Sequence, residues 1–435
     1  MKKPGPGFVT LCAFHLLQRP FSRVGSSRSI IFSTVLCCGF ALTVSGQTQT
    51  PSSAPAPEAV RQTNRYTNFS AFAVPDEKGG SLPLFSPEAY RAEFHCLRDE
   101  FHKTDLASPA VKTDGWTYNI PQAEWPFMGF AYFGYASANF AKYDPAIRAE
   151  ALQEMRWLID ALQTTRMSGF VTPHFGEPFD VNEIHVAVFV HGHFLNLALR
   201  YREVSGDTRY DQVIHRVATA LAREYLGTNG PILRSYRDMW WITDNFPAIS
   251  ALSRYDHVFQ RDTSEARSRF LSNLKAYYLD KKTGLFCTYV NPVGHVQVQG
   301  ARGISVMYGL HFLRDFDPDF AASQYGLAKK CFLMNLFGIT AAREFPEGSD
   351  AKPDVDSGPL IFGAGPSASG FAIAAAAING DETTAWQLLE ASALVGLPQL
   401  QNGKLQYNSM PIVGQAVILF GKSELLKSEV ALNTK

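Results

Sequence analysis

Residues 233–246 combine aromatic rings with carboxylic acids in a way that suits proton transfer. Trp240 and Trp241 lie between Asp238 and Asp244, at the start of a helical pattern. Aromatic faces can stack on a sugar or stabilise a carbocation, and a carboxyl group beside them can have its pKa raised until it donates a proton. We therefore predict Asp244 as a general acid and the two tryptophans as substrate-binding. The alternative is an ordinary first-turn aspartate with Trp241 packed below it.

Two histidines, His191 and His193, occur in the most apolar helical pattern of the chain. Residues two apart on a helix are separated by ~200°, so these rings leave opposite faces and cannot chelate one ion. The cysteines that follow the N-terminal region are widely spaced and match no zinc pattern, and we predict no metal and no cofactor. His193 is either a core histidine bonded to a backbone carbonyl or, if its row faces a cavity, a catalytic acid or base.

A third polar cluster follows near residue 344. Glu344 and Glu347 precede Asp354 and Asp356, and a run of small residues spans 363–370. No strand and no GK[ST] motif accompanies this run, so it does not predict a phosphate-binding loop. Asp356 could act in catalysis, with Asp354 as a substrate-binding neighbour, or it could simply cap the next helix. Arg302 and Tyr289 could clamp a ligand or form a surface pair.

The elements that would position these residues are predominantly helical. Residues 182–204 are apolar on almost every face, whereas residues 208–226 are apolar on one stripe. Such a pair predicts a buried inner helix followed by an outer helix that faces water. Comparable patterns recur at residues 86–104, 125–142, 145–163, 241–259, 263–280, 302–314, 317–337, 358–379, 381–394 and 411–426.

About twelve helices in alternating roles predict an all-α fold, a closed (α/α)6 toroid, with an open α-solenoid as the competing solution. Residues 284–298 interrupt the helical pattern with two short β-like runs around Asn291-Pro292. They predict a small β-hairpin at one rim. The long non-helical insertions 106–124 and 340–358 are expected at the rim as well.

Composition limits the function classes. Lys plus Arg and Asp plus Glu both number 40, so the chain has no electrostatic footprint for nucleic acid. Residues 1–46 carry basic residues ahead of an apolar run from Ile30 to Val44, which predicts a secretory signal peptide. The run is short for a membrane span, so we expect an exported, periplasmic or extracellular chain without a stable span after cleavage, although an uncleaved anchor is the alternative. Residues 47–84 are predicted as a Pro/Ser/Ala-rich tether and N-terminal arm, and residues 85–430 as one domain.

Several segments together resemble the linalool dehydratase/isomerase family. They are FAYFGYASANFAKYDPAIRA after Gly129, HGHFLNLALRYREVSGDTRY from His191, the Trp240 block, TGLFCTYV from Thr283 and DVDSGP from Asp354. The resemblance implies an α/α toroid that performs cofactor-free acid/base chemistry on a terpene alcohol. It also implies an apolar pocket near a subunit contact and a ring-shaped homo-oligomer.

The same resemblance assigns a family histidine to His193. Where the family has two thiols and a tyrosine, this chain has Ser235, Asp244 and Met128, so these positions are expected at the substrate. Because a thiol and a carboxyl group differ in pKa by ~4 units, the exchange changes which proton moves. The substrate expected from the resemblance is a small hydrophobic alcohol, converted by a hydro-lyase or isomerase.

A second hypothesis is a glycan-acting toroid, a hydrolase, lyase or epimerase. In it Asp244 pairs with Glu347, Asp354 or Asp356, and the tryptophans stack on sugar rings. A third is a binding toroid without catalysis, since a fold does not dictate a function. Paired carboxylates ~5–9.5 Å apart across an open groove would favour the glycan, whereas one carboxylate in a closed aromatic pocket would favour the terpene.

Overall fold

Six helices that are apolar on nearly every face form the interior of the protein. In the computed structural model they are Glu124–Tyr143 (α2), Val188–Ser205 (α6), Ile242–Phe259 (α8), Gly303–Leu313 (α10), Pro366–Ile378 (α12) and Ile412–Asn433 (α14). Every residue of α10 is buried, as are most residues of α2 and α8. A helix buried all round must have neighbours on every side, and these six supply them to one another.

Six amphipathic helices surround them. They are Pro87–Phe101 (α1), Arg148–Leu162 (α3), Asp211–Leu226 (α7), Ser264–Tyr277 (α9), Pro318–Phe332 (α11) and Glu382–Gly396 (α13), and two short helices, Thr165–Ser168 (α4) and Thr172–Phe175 (α5), follow α3. In α7 the buried residues follow one stripe that includes Ile214, Val217 and Leu221. The chain thus alternates outer and inner helices, as its sequence predicts.

The inner helices form a closed ring. Each packs against the next along the chain, and α14 returns to pack against α2. An open solenoid would leave its first and last repeats apart, so this contact confirms the predicted (α/α)6 toroid. The structure describes residues 72–75, 79–108, 124–227, 231–237 and 239–433, with side chains as far as residue 427. The predicted signal peptide, most of the tether, Asp238 and residues 109–123 lie outside these ranges.

Four small antiparallel sheets lie between the helices. Their strands are Ala73–Pro75 (β1) with Ser81–Pro83 (β2), Trp240–Trp241 (β3) with Tyr289–Asn291 (β4) and Val296–Gln299 (β5), Leu333–Leu336 (β6) with Ile339–Ala342 (β7), and Pro398–Gln401 (β8) with Lys404–Tyr407 (β9). The hairpin β4–β5 confirms the prediction for residues 284–298. The structure adds β3 to it, so the tryptophan pair is an edge strand of the same sheet.

Three predicted helix boundaries are wrong. The helix predicted at 317–337 ends at Phe332, because Leu333 turns extended and β6 pairs with β7 across Gly338, whose φ is +87°. The helix predicted at 358–379 begins only at Pro366, after Gly363 at φ +89°. The helix predicted at 182–204 begins at Val188. In each case the predicted helix follows an apolar run into residues whose backbone conformation is set by a turn.

The two ends of the toroid differ in their connections. Inner helices lead to outer ones through short turns, at residues 144–147, 206–210, 260–263, 314–317 and 379–381. Outer helices lead to inner ones through long segments, at residues 102–123, 163–187, 227–241, 278–302, 333–365 and 397–411. The long connections, with the sheets that they contain, therefore lie at the same end of the toroid as the N-terminal ends of the inner helices. We call this end the long-loop rim.

Among the residues that the structure describes, no helix is both long and apolar enough to cross a membrane. Within the same ranges, His, Cys, Asp and Glu side chains do not gather in a cluster that could hold a metal ion.

Candidate active site

A cavity of ≈ 60 Å³ lies at the long-loop rim, where the inner helices begin. Its walls come from the N-terminal turns of α2, α6, α8 and α10, from α12 and from three long connections. The lining residues are Glu124, Trp125, Met128, Phe189, Tyr236, Trp241, Thr243, Asp244, Arg302, Ile304, Ser305, Tyr308, Asp356 and Phe371. The cavity therefore joins three carboxyl groups and one guanidinium group to a mainly aromatic wall. A volume of this size holds several water molecules, since each needs ~10–15 Å³.

Asp244 is the most perturbed acid of the site. It lies in the first turn of α8 and is only 7% exposed. Burial raises its pKa to about 8; the charges of Glu124 and Asp356 act in the same direction, and a hydrogen bond from Ser235 opposes them. Among the residues that the structure describes, none makes a hydrogen bond to its Oδ2 atom. At neutral pH this group is mainly protonated and can donate a proton into the cavity.

Glu124 and Asp356 supply the other two carboxyl groups. Glu124 is the first residue of α2, and burial raises its pKa to about 7, with a further contribution from the charge of Asp356. Burial and the neighbouring Asp354 raise the pKa of Asp356. Trp125 Nε1 donates to Asp356 Oδ1 over 3.3 Å, which favours the ionised form. Neighbouring carboxyl groups disfavour simultaneous ionisation, and the charge of Asp356 raises the pKa of both Glu124 and Asp244.

Arg302 is held in place by two acids. Its Nε donates to Glu344 Oε1 over 2.5 Å, and its Nη1 and Nη2 atoms donate to Asp354 over 2.7 and 2.8 Å. Burial opposes the ionisation of Asp354, but the hydrogen bonds and charge of Arg302 outweigh it and lower the Asp354 pKa. The guanidinium group is 1% exposed. Its three bonds are made within the protein, so Arg302 fixes residues 354–356 beside the cavity.

The two adjacent tryptophans have different surroundings, one in the cavity wall and the other against the core. Trp240 pairs with Val290, and Trp241 pairs with Tyr289. Successive side chains of a strand point to opposite faces. Only Trp241 lines the cavity, while Trp240 packs against the hydrophobic core. The Tyr289 ring lies 5.4 Å from the Trp241 ring, centroid to centroid, and supports it from outside the cavity.

His193 does not line the cavity, so the structure places it in the core and corrects the alternative in which its row faces a cavity. It is fully buried, and its two ring nitrogens lie 2.8 Å from the hydroxyl oxygens of Tyr135 and Tyr308. Tyr308 lines the cavity, so the Tyr308 side chain separates His193 from the cavity. Burial, together with the charge of His311, lowers its pKa to about 3. His193 is therefore neutral and positions Tyr308. His191 bonds to the backbone carbonyl oxygens of Ala187 and Pro178, as expected of a core histidine.

Of the predicted site residues, the structure brings Met128, Trp241, Asp244, Arg302 and Asp356 to the cavity. Ser235, Asp354 and Tyr289 each contact one of these residues. Trp240 and His193 pack in the core, away from the cavity. Sequence reasoning missed five polar lining residues, which are Glu124, Tyr236, Thr243, Ser305 and Tyr308. A signal existed for Glu124, which is the one acidic residue at the start of an otherwise apolar helix. Tyr308 gave no such signal in the sequence, because it is one of several aromatic residues on a buried helix.

With the geometry established, comparison with known proteins gives a fold but no family. No family model matches the chain, and no curated protein matches its sequence. Among solved structures, an inactive α-1,6-mannanase variant from Salegentibacter sp. HEL1_6 in complex with α-1,6-mannotriose has a TM-score of 0.52 at 12% identity. The alignment covers 78% of this chain and 99% of the mannanase.

Two further structures are similar. An unsaturated glucuronyl hydrolase specific for heparin has a TM-score of 0.52 at 12% identity, over 79% of this chain and 97% of that one. An α-mannanase from Bacteroides thetaiotaomicron has a TM-score of 0.50 at 9% identity, over 80% and 99%. At such identities the likeness shows the fold alone, and it agrees with the predicted toroid.

These comparisons contradict the resemblance to the linalool dehydratase/isomerase family. The similar solved structures are toroids named for their action on carbohydrates, and no model of any family matches. The terpene-alcohol hydro-lyase or isomerase expected from that resemblance is accordingly wrong. The misleading segments are largely those that build inner helices and their turns. Any α/α toroid needs apolar inner helices and Gly-Asp or Asp-Pro boundaries, so such segments report the fold and not the chemistry.

Proposed function

We propose that this protein is a glycan-acting acid/base enzyme, most simply a glycoside hydrolase. The observation that carries the proposal is the meeting of Asp244, Glu124 and Asp356 in one cavity beside Trp241. Hydrolysis of a glycosidic bond needs one protonated and one ionised carboxyl group. A site with several coupled carboxyl groups supplies both forms at the same pH. The similar solved structures, which are carbohydrate-acting toroids, support the same class.

We infer the roles of the carboxyl groups from their environments. Asp244, with its pKa raised to about 8, is the proton donor to the leaving oxygen. Asp356 accepts the Trp125 hydrogen bond and is less buried than Asp244, so it is the carboxylate that activates water or stabilises the cation. Glu124 acts through its charge, which keeps Asp244 protonated. The Trp241 Nε1 atom and the Asp244 Oδ2 atom have no hydrogen-bond partner within the described part of the chain, and they can bond sugar hydroxyl groups.

The size of the cavity limits how a glycan could bind. A volume of ≈ 60 Å³ admits the reacting oxygen and a water molecule but not a sugar ring, so the ring would lie at the mouth against the long-loop rim. The substrate would then be a chain or a terminal unit that contacts the rim over several residues.

The test is a screen of purified protein on α-mannan oligosaccharides, unsaturated glucuronyl disaccharides and a wider glycan panel, with products separated by chromatography. We expect turnover of at least one glycan, and a fall in kcat/KM of ~10²–10⁴-fold for Asp244→Asn and Asp356→Asn. Glu265→Gln, on the exposed face of α9, is the matched control and should be neutral. Absence of conversion across the panel, or full activity of Asp244→Asn, would refute the proposal.

A further inference from the structure

Acidic groups outnumber basic groups around the cavity. Glu124, Asp244 and Asp356 place three carboxyl groups in its wall. Among the described residues that line it, Arg302 is the only one with a cationic side chain. The whole chain, in contrast, has as many basic as acidic residues. The excess of acid is therefore a property of this site and not of the molecule.

Arg302 is already engaged by two acids of the protein. Its Nη1 and Nη2 atoms both donate to Asp354, and its Nε atom donates to Glu344. Asp354 alone balances the charge of the guanidinium group, and Glu344 adds a second carboxyl group. A substrate carboxylate that approached Arg302 would meet these two acids as well. Arg302 is thus a poor binding group for an anion.

Arg237 is a second cation that acts on the site, and it does so from the surface. It is exposed, and its guanidinium carbon lies 5.9 Å from the centre of the Tyr236 ring. Burial raises the pKa of Glu124 to about 7, although the charge of Arg237 acts in the other direction. Water and salt screen an exposed charge more than buried ones. Arg237 therefore weakens the acidic character of the cavity without reversing it.

Asp244 adds an observation that is independent of the charge balance. Its side chain is only 7% exposed and lines the cavity, and no described residue makes a hydrogen bond to its Oδ2 atom. A sugar hydroxyl group can donate to or accept from a carboxyl group, and an ammonium group can donate to it. An ionised carboxylate can only accept, so it would engage the proton that Asp244 needs for the leaving oxygen.

We propose that the site selects against anionic sugars, so that its substrate is a glycan whose reacting unit is a neutral or amino sugar and not a uronic acid. This inference rests on the proposed glycan chemistry and narrows its substrate class. A carboxylate beside the buried acids would add a like charge where the dielectric is low, and such repulsion is costly. An ammonium group in the same place is attracted by the acids and by the aromatic walls.

The test measures binding to the full chain by calorimetry, with S-linked disaccharides that resist hydrolysis. In the manno, gluco and galacto series, three forms differ only at the exocyclic carbon of the terminal sugar, which carries a hydroxyl, an ammonium or a carboxylate group. We expect the carboxylate form to bind at least about tenfold more weakly than the hydroxyl form. The ammonium form should bind at least as tightly as the hydroxyl form. Equal weakening by both charged groups, or no binding of any form, would overturn the inference.

The substitution Asp354→Asn tests the role given to Arg302. Asparagine keeps an oxygen for the backbone N–H groups of Asp356 and Ser357 but removes one charge from the guanidinium group. We expect affinity for the carboxylate form to rise about tenfold relative to the hydroxyl form, because Arg302 becomes available to an anion. Binding of the hydroxyl form reports that the variant is folded. Glu265→Gln, which removes an exposed acid of α9, is the control and should leave the ratio unchanged. An unchanged ratio in Asp354→Asn would contradict the inference.

Failure of this inference and failure of the proposed function give different results. If the glycan screen shows uronic acid substrates turned over as fast as their neutral counterparts, the inference is wrong and the glycan chemistry stands. If no glycan is turned over, the proposed function is refuted and the inference falls with it.

Discussion

At the scale of single residues, the chemistry of the site follows from where Asp244 lies. The side chain is placed by the first turn of an inner helix, next to two other carboxyl groups and away from water. The pKa of such a group rises because ionisation is opposed by burial and by like charge. The same features that suit it to donate a proton make its ionised form destabilising.

A test of that cost is the substitution Asp244→Asn. The folded-state pKa of Asp244 is about 8 against an ordinary value of 3.8, so the folded state loses stability as pH rises between these values. Asparagine stays neutral throughout. We expect the variant to be more stable than the parent chain at pH 9 by roughly 1–3 kcal/mol and to show no such advantage near pH 4. Thermal unfolding at both pH values measures this. A difference independent of pH would contradict the assignment.

His193 gives a second prediction at this scale. His193→Phe removes the imidazole partner of the buried Tyr135 and Tyr308 hydroxyl groups. The Tyr135 hydroxyl still donates to the carbonyl oxygen of residue 193 over 3.2 Å, so the Tyr308 hydroxyl is the group left unsatisfied, which costs about 1–3 kcal/mol. Chemical denaturation should show a loss of about that size. His257→Phe, on the exposed side of α8, is the control and should lie within ~0.5 kcal/mol of the parent chain. If the two variants are equally stable, His193 does not hold the tyrosines.

At the scale of elements, helices α1 and α14 are joined by a buried ion pair. Lys422 Nζ bonds to Glu93, and it donates to the Tyr407 hydroxyl over 2.8 Å. All three side chains are fully buried. Lys422→Met should lower the free energy of unfolding by about 3–5 kcal/mol, because it leaves Glu93 without its partner. Lys103→Met, in the solvent-accessible Lys103–Glu100 pair at the end of α1, is the control and should cost under ~1 kcal/mol.

Adding Glu93→Gln to Lys422→Met tests the reason for that loss. The double variant removes the stranded charge, and we expect it to be more stable than Lys422→Met alone. A further loss of stability in urea denaturation would mean that packing, and not the unpaired charge, explains the effect.

The contact between α10 and the segment after β7 allows no side chain at Gly303. A Cβ atom there would lie 1.9 Å from the Arg343 carbonyl oxygen, and Gly303 N donates to Glu344 O over 2.7 Å. Gly303→Ala should therefore displace Glu344 and Arg302 and cost more than ~2 kcal/mol. Gly326→Ala has open space in α11 and should stabilise the protein by about 0.5–1 kcal/mol. Equal melting temperatures for the two variants would contradict this packing.

At the scale of the whole molecule, stability depends on ring closure. Helix α14 packs against both α2 and α12, so its removal exposes two apolar inner faces. A chain that ends at Ser409 should lose its cooperative unfolding transition, as monitored by circular dichroism during heating. An open solenoid would behave differently, because its repeats contact only their neighbours and the loss of one end leaves the rest folded. A sharp transition in the truncated chain would mean that closure is not essential.

The sequence by itself determined the helical ring. Inner helices that are apolar all round, outer helices with one apolar stripe, and Gly-Asp or Asp-Pro boundaries are local patterns, and burial and capping act on residues close in the chain. Asp244, Trp241 and Asp356 could also be named, because carboxyl groups and tryptophans stand out where helices begin.

Only the tertiary structure decided which residues meet. Glu124, Asp244 and Asp356 come from three separate turns of the ring, and their shared pKa shifts exist only because closure brings them together. Successive side chains of β3 point to opposite faces, so Trp241 lines the cavity and Trp240 does not. The Tyr308 side chain lies between His193 and the cavity. Whether a polar side chain faces a cavity or a packing layer depends on contacts between segments far apart in the chain. No local pattern in the sequence contains that information, and the family resemblance, built on local patterns, failed for the same reason.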